Sequence, residues 1–167
     1  MPSPGSRKRP IQVGRLVIIG IGNPFRKDDA VGLLVARAIR DKAPRGVVVL
    51  EQDGEPTALI DAWEHADAVI IVDAVSSGAP PGTLHAIDVR ETPLDRDLFR
   101  HSTHSFGVAE AVELAKTLGR IPPVVWVNGI EGKDFGAGTG LSPEVLASAE
   151  KTTAAVLRQI DELIGKR

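Results

Sequence analysis

Short apolar segments alternate along this chain with stretches of helical periodicity, and few folds accommodate such an alternation. Apolar, mostly β-branched segments with the length of strands lie at 16–21, 47–50, 67–73, 83–89 and 124–128. Amphipathic helical patterns lie at 28–41, 57–66, 105–119 and from Ser142, the expected N-cap that precedes Pro143. The alternation predicts a single α/β domain with three layers (α/β/α), in which helices cover both faces of a mostly parallel five-stranded sheet. Segment 83–89 is the weakest strand and suits an edge of the sheet.

The length and charge of the chain narrow the function classes. A chain of 167 residues suits one domain, and a formal net charge of −2 does not favour nucleic acid or an anionic membrane as a partner. No segment approaches the roughly 20 apolar residues of a membrane span. The basic start of the chain predicts a flexible tail over residues 1–14 and one domain over 15–167. The absence of cysteine excludes thiol chemistry and fits a cytoplasmic location.

The turn after the first strand is the first candidate for a functional site, because ligands of open α/β sheets bind beyond the carboxyl ends of the strands. Gly20 and Gly22 allow a sharp turn there, and Asp28 and Asp29 follow at the start of a helix, where negative charge is favoured. Capping of that helix is the alternative role for both aspartates. A dinucleotide site is disfavoured, since Phe25 stands where a third glycine would be needed.

Asp73 and His104 are the other candidates. Asp73 ends an apolar segment, where loss of solvent raises a carboxyl pKa unless a cation or a donor offsets it. The alternative for Asp73 is the capping of a loop amide. His104 precedes a predicted helix, whose N-terminus keeps an imidazole neutral and able to bind a metal. His101 could join it, whereas His65 and His85 are interpreted as structural.

Two carboxylates and one imidazole can bind a borderline metal such as Zn²⁺ or Ni²⁺ and leave a position open for water or substrate. Neither an HExxH motif nor a GxSxG motif is present.

Peptidyl-tRNA hydrolases also begin with a strand and a GxGNP turn, and they are a second possibility. The acidic Asp28 and Asp29 would repel the phosphates of tRNA, which disfavours that interpretation.

Five motifs together resemble the hydrogenase maturation proteases. In chain order they are GIGNPFRKDDAVG (20–32), DGEPTALIDAW (53–63), VDAVSSGAPPGTLHAID (72–88), STHSFGVAEAVELA (102–115) and GIEGKDF with GLSPEV (129–145). The resemblance covers nearly the whole chain beyond the basic tail. It implies a five-stranded twisted sheet between helices, of the phosphorylase/hydrolase-like type.

The resemblance also implies an activity. The chain is expected to be a metal-dependent endopeptidase that removes the C-terminal extension from a nickel-loaded precursor of the nickel–iron hydrogenase large subunit. Asp29, Asp73 and His104 would be the catalytic and metal-contacting residues, and Asp53 and Gly54 would bind the substrate. The nickel would be carried by the precursor, no organic cofactor is expected, and the protein would be a monomer that binds neither nucleic acid nor membrane.

Some points remain open from the sequence. The best-known members have glutamate where Asp29 stands, and the Asp-Gly pair is usually followed by Gly-Thr rather than by Glu55 and Pro56. A chaperone that holds the nickel-loaded precursor without cutting it would use the same residues. Nickel could act as a recognition element only or also as a Lewis acid. The roles of His101, Glu131 and Asp134 are not predicted.

Overall fold

The computed structural model describes residues 12–99 and 107–165 and contains one five-stranded sheet. The strands are β1 (Leu16–Ile21), β2 (Val48–Gln52), β3 (Ala68–Val75), β4 (Leu84–Asp88) and β5 (Val124–Glu131), and they lie in the order β2-β1-β3-β5-β4. β1 runs parallel to β2 and β3, and β3 runs parallel to β5. β4 is antiparallel to β5 at one edge. The mostly parallel sheet and the edge position of the weakest strand are confirmed.

Helices cover both faces of the sheet, so the three-layer prediction is also confirmed. They are α1 (Val31–Arg40), α2 (Pro56–Ala62), α3 (Val108–Thr117) and α4 (Pro143–Ile164), with 3₁₀ turns at Lys27–Ala30 and Arg96–Phe99. One hydrophobic core lies between the sheet and α2 and α3, and the other lies between the sheet and α1 and α4. None of the helices in the described ranges is long and apolar enough to cross a membrane.

The central strands are buried along their whole length. Every residue of β1 and β3 is buried, as expected for parallel strands covered on both faces. Successive side chains alternate between the two cores, so that Val17 and Ile19 face α2 and α3 while Leu16 and Ile18 face α1 and α4. This alternation fixes the register of the sheet and therefore the positions at which its polar residues emerge.

Two strands extend further than the sequence predicted. β3 continues to Val75, so Asp73 lies within the strand instead of ending it, and β5 continues to Glu131 instead of ending at Asn128. The cause is mutual pairing, because Asp73 lies opposite Gly129 and Val75 lies opposite Glu131. Glu131 is consequently part of the sheet and not of the glycine-rich loop.

Three further boundaries also differ. The helix predicted at 28–41 begins with the 3₁₀ turn, and α2 ends at Ala62, which leaves His65 in a turn with φ of 61° and not in a helix. At the N-terminus, Val13 packs against the core and Gly14 donates a backbone hydrogen bond to Asp67 (2.9 Å), so the packed domain begins before residue 15. Residues 1–11 lie outside the described residues.

Candidate functional site

Asp29 and Asp73 meet at the carboxyl edge of the sheet. Both are 5% exposed. A carboxylate oxygen of Asp29 accepts a hydrogen bond from the backbone amide of Asn23 (3.0 Å), and one of Asp73 accepts from the amide of Ala74 (2.8 Å). The two residues that the sequence placed at different strands are both buried, and they are close enough for the charge of Asp29 to raise the pKa of Asp73.

The ionised form of Asp73 is disfavoured in the folded protein. Burial raises the pKa of Asp73 well above its usual value, and the negative charge of Asp29 raises it further, whereas the Ala74 amide lowers it only in part. A cation beside the two carboxylates would offset both causes of the raised pKa, since it favours the ionised form. The amide that Asp73 accepts from belongs to its neighbour within β3 and not to a loop, so the loop-capping role considered for Asp73 is not found, and this one bond does not offset the cost of burial.

Gly22 allows Asp29 to lie this close to the sheet. A Cβ atom at residue 22 would stand 2.1 Å from the carbonyl oxygen of Asp29, well inside van der Waals contact. The glycines of the GxG turn thus serve a close approach of backbone to backbone. This use agrees with the exclusion of a dinucleotide site.

Asp28 has a role that the sequence did not reveal. It is fully buried (0% exposed), and its carboxylate accepts hydrogen bonds from the backbone amides of Lys133 (2.9 Å), Asp134 (2.8 Å) and Ser142 (2.7 Å) and from the hydroxyl of Ser142 (2.8 Å). Burial alone would raise the pKa of Asp28, but these four bonds outweigh it and lower the pKa. The helix-capping role considered for Asp28 is wrong, since neither helical segment there has a side-chain cap.

Ser142 is the N-cap of α4 as predicted, but its hydroxyl does not cap the helix. The hydroxyl is used by Asp28 instead. Asp134, whose role was open, forms an ion pair with Lys27 (2.8 Å) on the same segment as Asp28. The loop that follows β5 is therefore fastened to the turn that carries Asp29.

Glu131 fastens a second loop, the one that follows Asp73. Its buried carboxylate accepts from the amide and hydroxyl of Ser77 (2.7 and 2.8 Å) and from the amide of Gly78 (3.1 Å), and it lies 3.1 Å from Nε2 of His85. Burial would raise the pKa of Glu131, but the bonds from Ser77, His85 and Gly78 lower it below its usual value. His85 is structural, as interpreted from the sequence.

Replacement of Glu131 by glutamine is expected to lower the free energy of unfolding by about 2 kcal/mol near neutral pH, because buried donors lose a charged acceptor. Since the folded state holds the pKa of Glu131 below the unfolded value of 4.5, this contribution is present above pH 4.5 and is lost as the pH falls below it. Urea unfolding of both proteins at pH 7 and near pH 3 checks the prediction. A difference in stability that does not shrink at the lower pH would contradict it.

Asp53 and Gly54 directly follow β2, the strand that pairs with β1. Asp53 is exposed and accepts a hydrogen bond from the amide of Glu55 (3.1 Å), and Gly54 has a φ of 96° that favours glycine. Glu55 caps α2 through the amides of Thr57 and Ala58, and Pro56 occupies its first turn. Glu55 and Pro56, which depart from the family pattern, thus serve the start of this helix.

An open groove of about 520 Å³ lies between the turn after β1 and the end of β2. Its lining includes Gly22 and Pro24 on one side and Asp53 on the other. A substrate segment in this groove would touch Asp53 and pass next to the turn that holds Asp29. Asp53, one of the two predicted substrate residues, lines this groove.

His104 and His101 lie outside the described residues, so the proposed third ligand remains a prediction. Within residues 12–99 and 107–165, no three His, Cys, Asp or Glu side chains form a group that could hold a metal. The described chain resumes at Gly107, which is buried, and α3 begins at Val108.

Comparisons with known proteins agree with the motifs. The family model for hydrogenase maturation proteases of the HycI type matches residues 33–159. The hydrogenase expression/formation protein HupD of Thiocapsa roseopersicina is 28% identical over 153 residues, which cover 89% of this chain and 67% of HupD. The hydrogenase 2 maturation protease of Escherichia coli is 28% identical over 153 residues, which cover 89% of this chain and 92% of that protein.

The fold matches solved structures as well. The hydrogenase maturating endopeptidase HybD from E. coli superposes with a TM-score of 0.76 at 25% identity, over 89% of this chain and 93% of HybD. The family match covers most of the chain, including Asp73, Glu131 and Ser142. It rules against the alternative interpretation of the chain as a peptidyl-tRNA hydrolase. The chain therefore belongs to the hydrogenase maturation protease family.

Proposed function

We propose that this protein removes the C-terminal extension from a nickel–iron hydrogenase large-subunit precursor, and that Asp29, Asp73 and His104 contact the nickel that the precursor carries. The observation that supports this most directly is the buried carboxylate pair. Asp73 is held beside Asp29 with a raised pKa, so both groups ionise together most readily when a cation arrives. The similarity of the chain to a nickel–iron hydrogenase maturation protease makes the precursor's nickel the natural candidate for that cation.

The reaction is the hydrolysis of one peptide bond. Water adds to the scissile carbonyl, the C–N bond breaks, and the products are a carboxylate on the mature subunit and an amine on the released peptide. A carboxylate of the pair accepts the proton of the attacking water and passes it to the leaving amine. Nickel belongs to the substrate, so the site would become fully ionised only when a loaded precursor is bound.

Substrate binding is assigned to the groove beside Asp53 and Gly54. The groove is open and includes Gly22 in its lining, so a bound extended segment would run from Asp53 towards Asp29. Exposed Asp53 can accept hydrogen bonds from the amides of such a segment. We further propose a cytoplasmic location, which a chain without cysteine fits, and a monomeric enzyme.

The test is intact-mass spectrometry of a large-subunit precursor incubated with the protein. Loss of a C-terminal peptide is expected with the nickel-loaded precursor and not with the nickel-free form. Asp41→Asn is the matched control, since it changes an exposed aspartate at the end of α1 and should leave the cleavage unchanged. A complex that forms without any change of mass would favour a chaperone and contradict the proposal.

The proposed nickel contacts are tested by two variants in the same assay. Asp29→Asn and His104→Gln keep the approximate size of the side chain and remove a charge or a metal-binding nitrogen. Each is expected to slow cleavage of the loaded precursor by more than about 100-fold, since even changes to groups behind metal ligands cost 10–100-fold. Full activity of either variant would remove that residue from the proposed ligand set.

A further inference from the structure

Asp28 connects the loop that follows β5 with the turn that carries Asp29. Its hydrogen-bonding partners Lys133 and Ser142 lie 105 and 114 residues away along the chain. A carboxylate buried next to a helix start would ordinarily bind the amides of its own helix. The carboxylate oxygens of Asp28 instead accept hydrogen bonds from a distant loop. Because Asp28 is fully buried, solvent water does not donate to these oxygens.

Backbone contacts join the same two segments. The amide of Asp28 donates to the carbonyl of Asp134 (3.0 Å), the amide of Lys27 donates to the carbonyl of Gly138 (3.1 Å), and the amide of Gly138 donates to the carbonyl of Phe25 (2.9 Å). With the side-chain bonds of Asp28, these contacts tie residues 132–142 to residues 25–28. The two segments therefore form one hydrogen-bonded unit at the carboxyl edge of the sheet.

Asp29 lies between this unit and the sheet. Its amide donates to the carbonyl of Arg26 (3.0 Å), and its carboxylate accepts from Asn23. Its carbonyl is pressed so close to Gly22 that a Cβ atom there would stand 2.1 Å away. Asp73, in contrast, is fixed by a central strand. The separation of the two carboxylates thus depends on where the unit holds Asp29.

We propose that Asp28 is a positioning residue for this reaction: by fastening the loop of residues 132–142 to the turn before α1, it sets the position of Asp29 opposite Asp73. The inference rests on the proposed function for its effect on cleavage. The effect of Asp28 on the position of Asp29 does not depend on the substrate. Asp28 itself contacts neither nickel nor substrate, because its oxygens are occupied by loop donors.

The main test replaces Asp28 with asparagine, which keeps the shape and loses the charge. We expect kcat for the nickel-loaded precursor to fall by about 100-fold, as a small misplacement of a reacting group can cause. KM should change little, since the groove beside Asp53 is untouched. Asp67→Asn is the control, because it also removes the charge of a carboxylate that accepts from distant backbone amides, those of Gly14 (2.9 Å) and Arg15 (2.7 Å), but Asp67 precedes β3 at the end opposite to Asp73. It should lower stability and keep kcat.

A second readout does not need the reaction. In a ¹⁵N NMR spectrum, the Asn23 amide reports on Asp29, to which it is bonded. Asp28→Asn should shift this signal and speed exchange of the Lys133, Asp134 and Ser142 amides by about 100-fold, since a bond to a charged group stabilises more than a neutral one. Ser142→Ala removes only the hydroxyl donor and is the milder variant in case Asp28→Asn fails to fold. In this variant the same loop amides should exchange about tenfold faster than in the wild type.

The outcomes separate the two proposals. Faster loop exchange with an unmoved Asn23 signal, or with unchanged kcat, would make Asp28 purely structural and overturn the inference. If the wild-type protein cleaves no precursor but Asp28→Asn still moves the Asn23 signal, the proposed function fails while the positioning of Asp29 stands. The inference is supported if Asp28→Asn shifts the Asn23 signal and loses kcat while Asp67→Asn leaves the Asn23 signal and kcat unchanged.

Discussion

Replacement of Asp73 by asparagine is expected to abolish precursor processing and to leave the protein as stable as the wild type or more so. The carboxylate is buried and is repelled by Asp29, so its charge costs folding free energy when no cation is present. An asparagine amide in its place can donate a hydrogen bond to Asp29. We expect a gain in unfolding free energy of about 1 kcal/mol at pH 7, similar to other single stabilising substitutions, and a loss of more than about 100-fold in cleavage rate.

The stability gain should depend on pH in one direction. The folded protein binds the proton of Asp73 more tightly than the unfolded chain does, because the pKa of Asp73 in the folded state lies well above its usual value of 3.8. Wild-type stability therefore falls, relative to the variant, as the pH rises above 3.8 towards the folded pKa. At pH 3 both proteins should be similarly stable, and the difference should grow towards neutral pH and then level off. Urea unfolding at a series of pH values measures this difference.

Asp67→Asn is the matched control, because Asp67 immediately precedes the same strand at its opposite end. There the carboxylate accepts from the amides of Gly14 (2.9 Å) and Arg15 (2.7 Å), a contact that stabilises the fold. The control should keep its activity and lose about 1 kcal/mol of stability, the reverse of Asp73→Asn. An Asp73→Asn protein that is active, or that is much less stable than the wild type at pH 7, would contradict the role assigned to the pair.

The fold was predictable because its signals are local. β1 and β3 are short, apolar and β-branched, and their type follows from the sequence without knowledge of their neighbours. The ends of β3 and β5 were not predictable in this way. Residues 73–75 and 129–131 become strand only because they pair with each other, and pairing between segments so far apart in the chain has no local pattern.

The residues of the candidate site likewise divide into those that the sequence could identify and those that it could not. Asp29 and Asp73 could be identified because the carboxyl ends of strands are where ligands bind, and the structure brings the two together. Asp28 and Glu131 could not, since most of their partners are loop amides, which nearly any residue type provides. One hint was present for Asp28: two consecutive aspartates exceed what a single helix start needs. His104 stays a prediction of the sequence motif.

Replacement of Gly32 by alanine should damage both the fold and the carboxylate pair. Gly32 lies in the first turn of α1, and a Cβ atom there would stand 2.3 Å from the carbonyl oxygen of Ile21 and 2.4 Å from that of Val72. Both oxygens belong to the backbone at central strands and cannot turn aside as a side chain could. We expect a loss of about 3 kcal/mol in unfolding free energy, at the upper end of overpacking effects, measured by urea unfolding.

The same clash should lower activity beyond the loss of folded protein. Val72 immediately precedes Asp73, and α1 directly follows the turn that holds Asp29, so any displacement that relieves the contact moves one carboxylate relative to the other. At a temperature where Gly32→Ala remains folded, kcat should be lower by about 100-fold. Gly14→Ala is the control, because its Cβ would meet only a side-chain oxygen of Asp67 at 3.2 Å. Full kcat in folded Gly32→Ala would show that the close seat of α1 on the sheet serves stability alone.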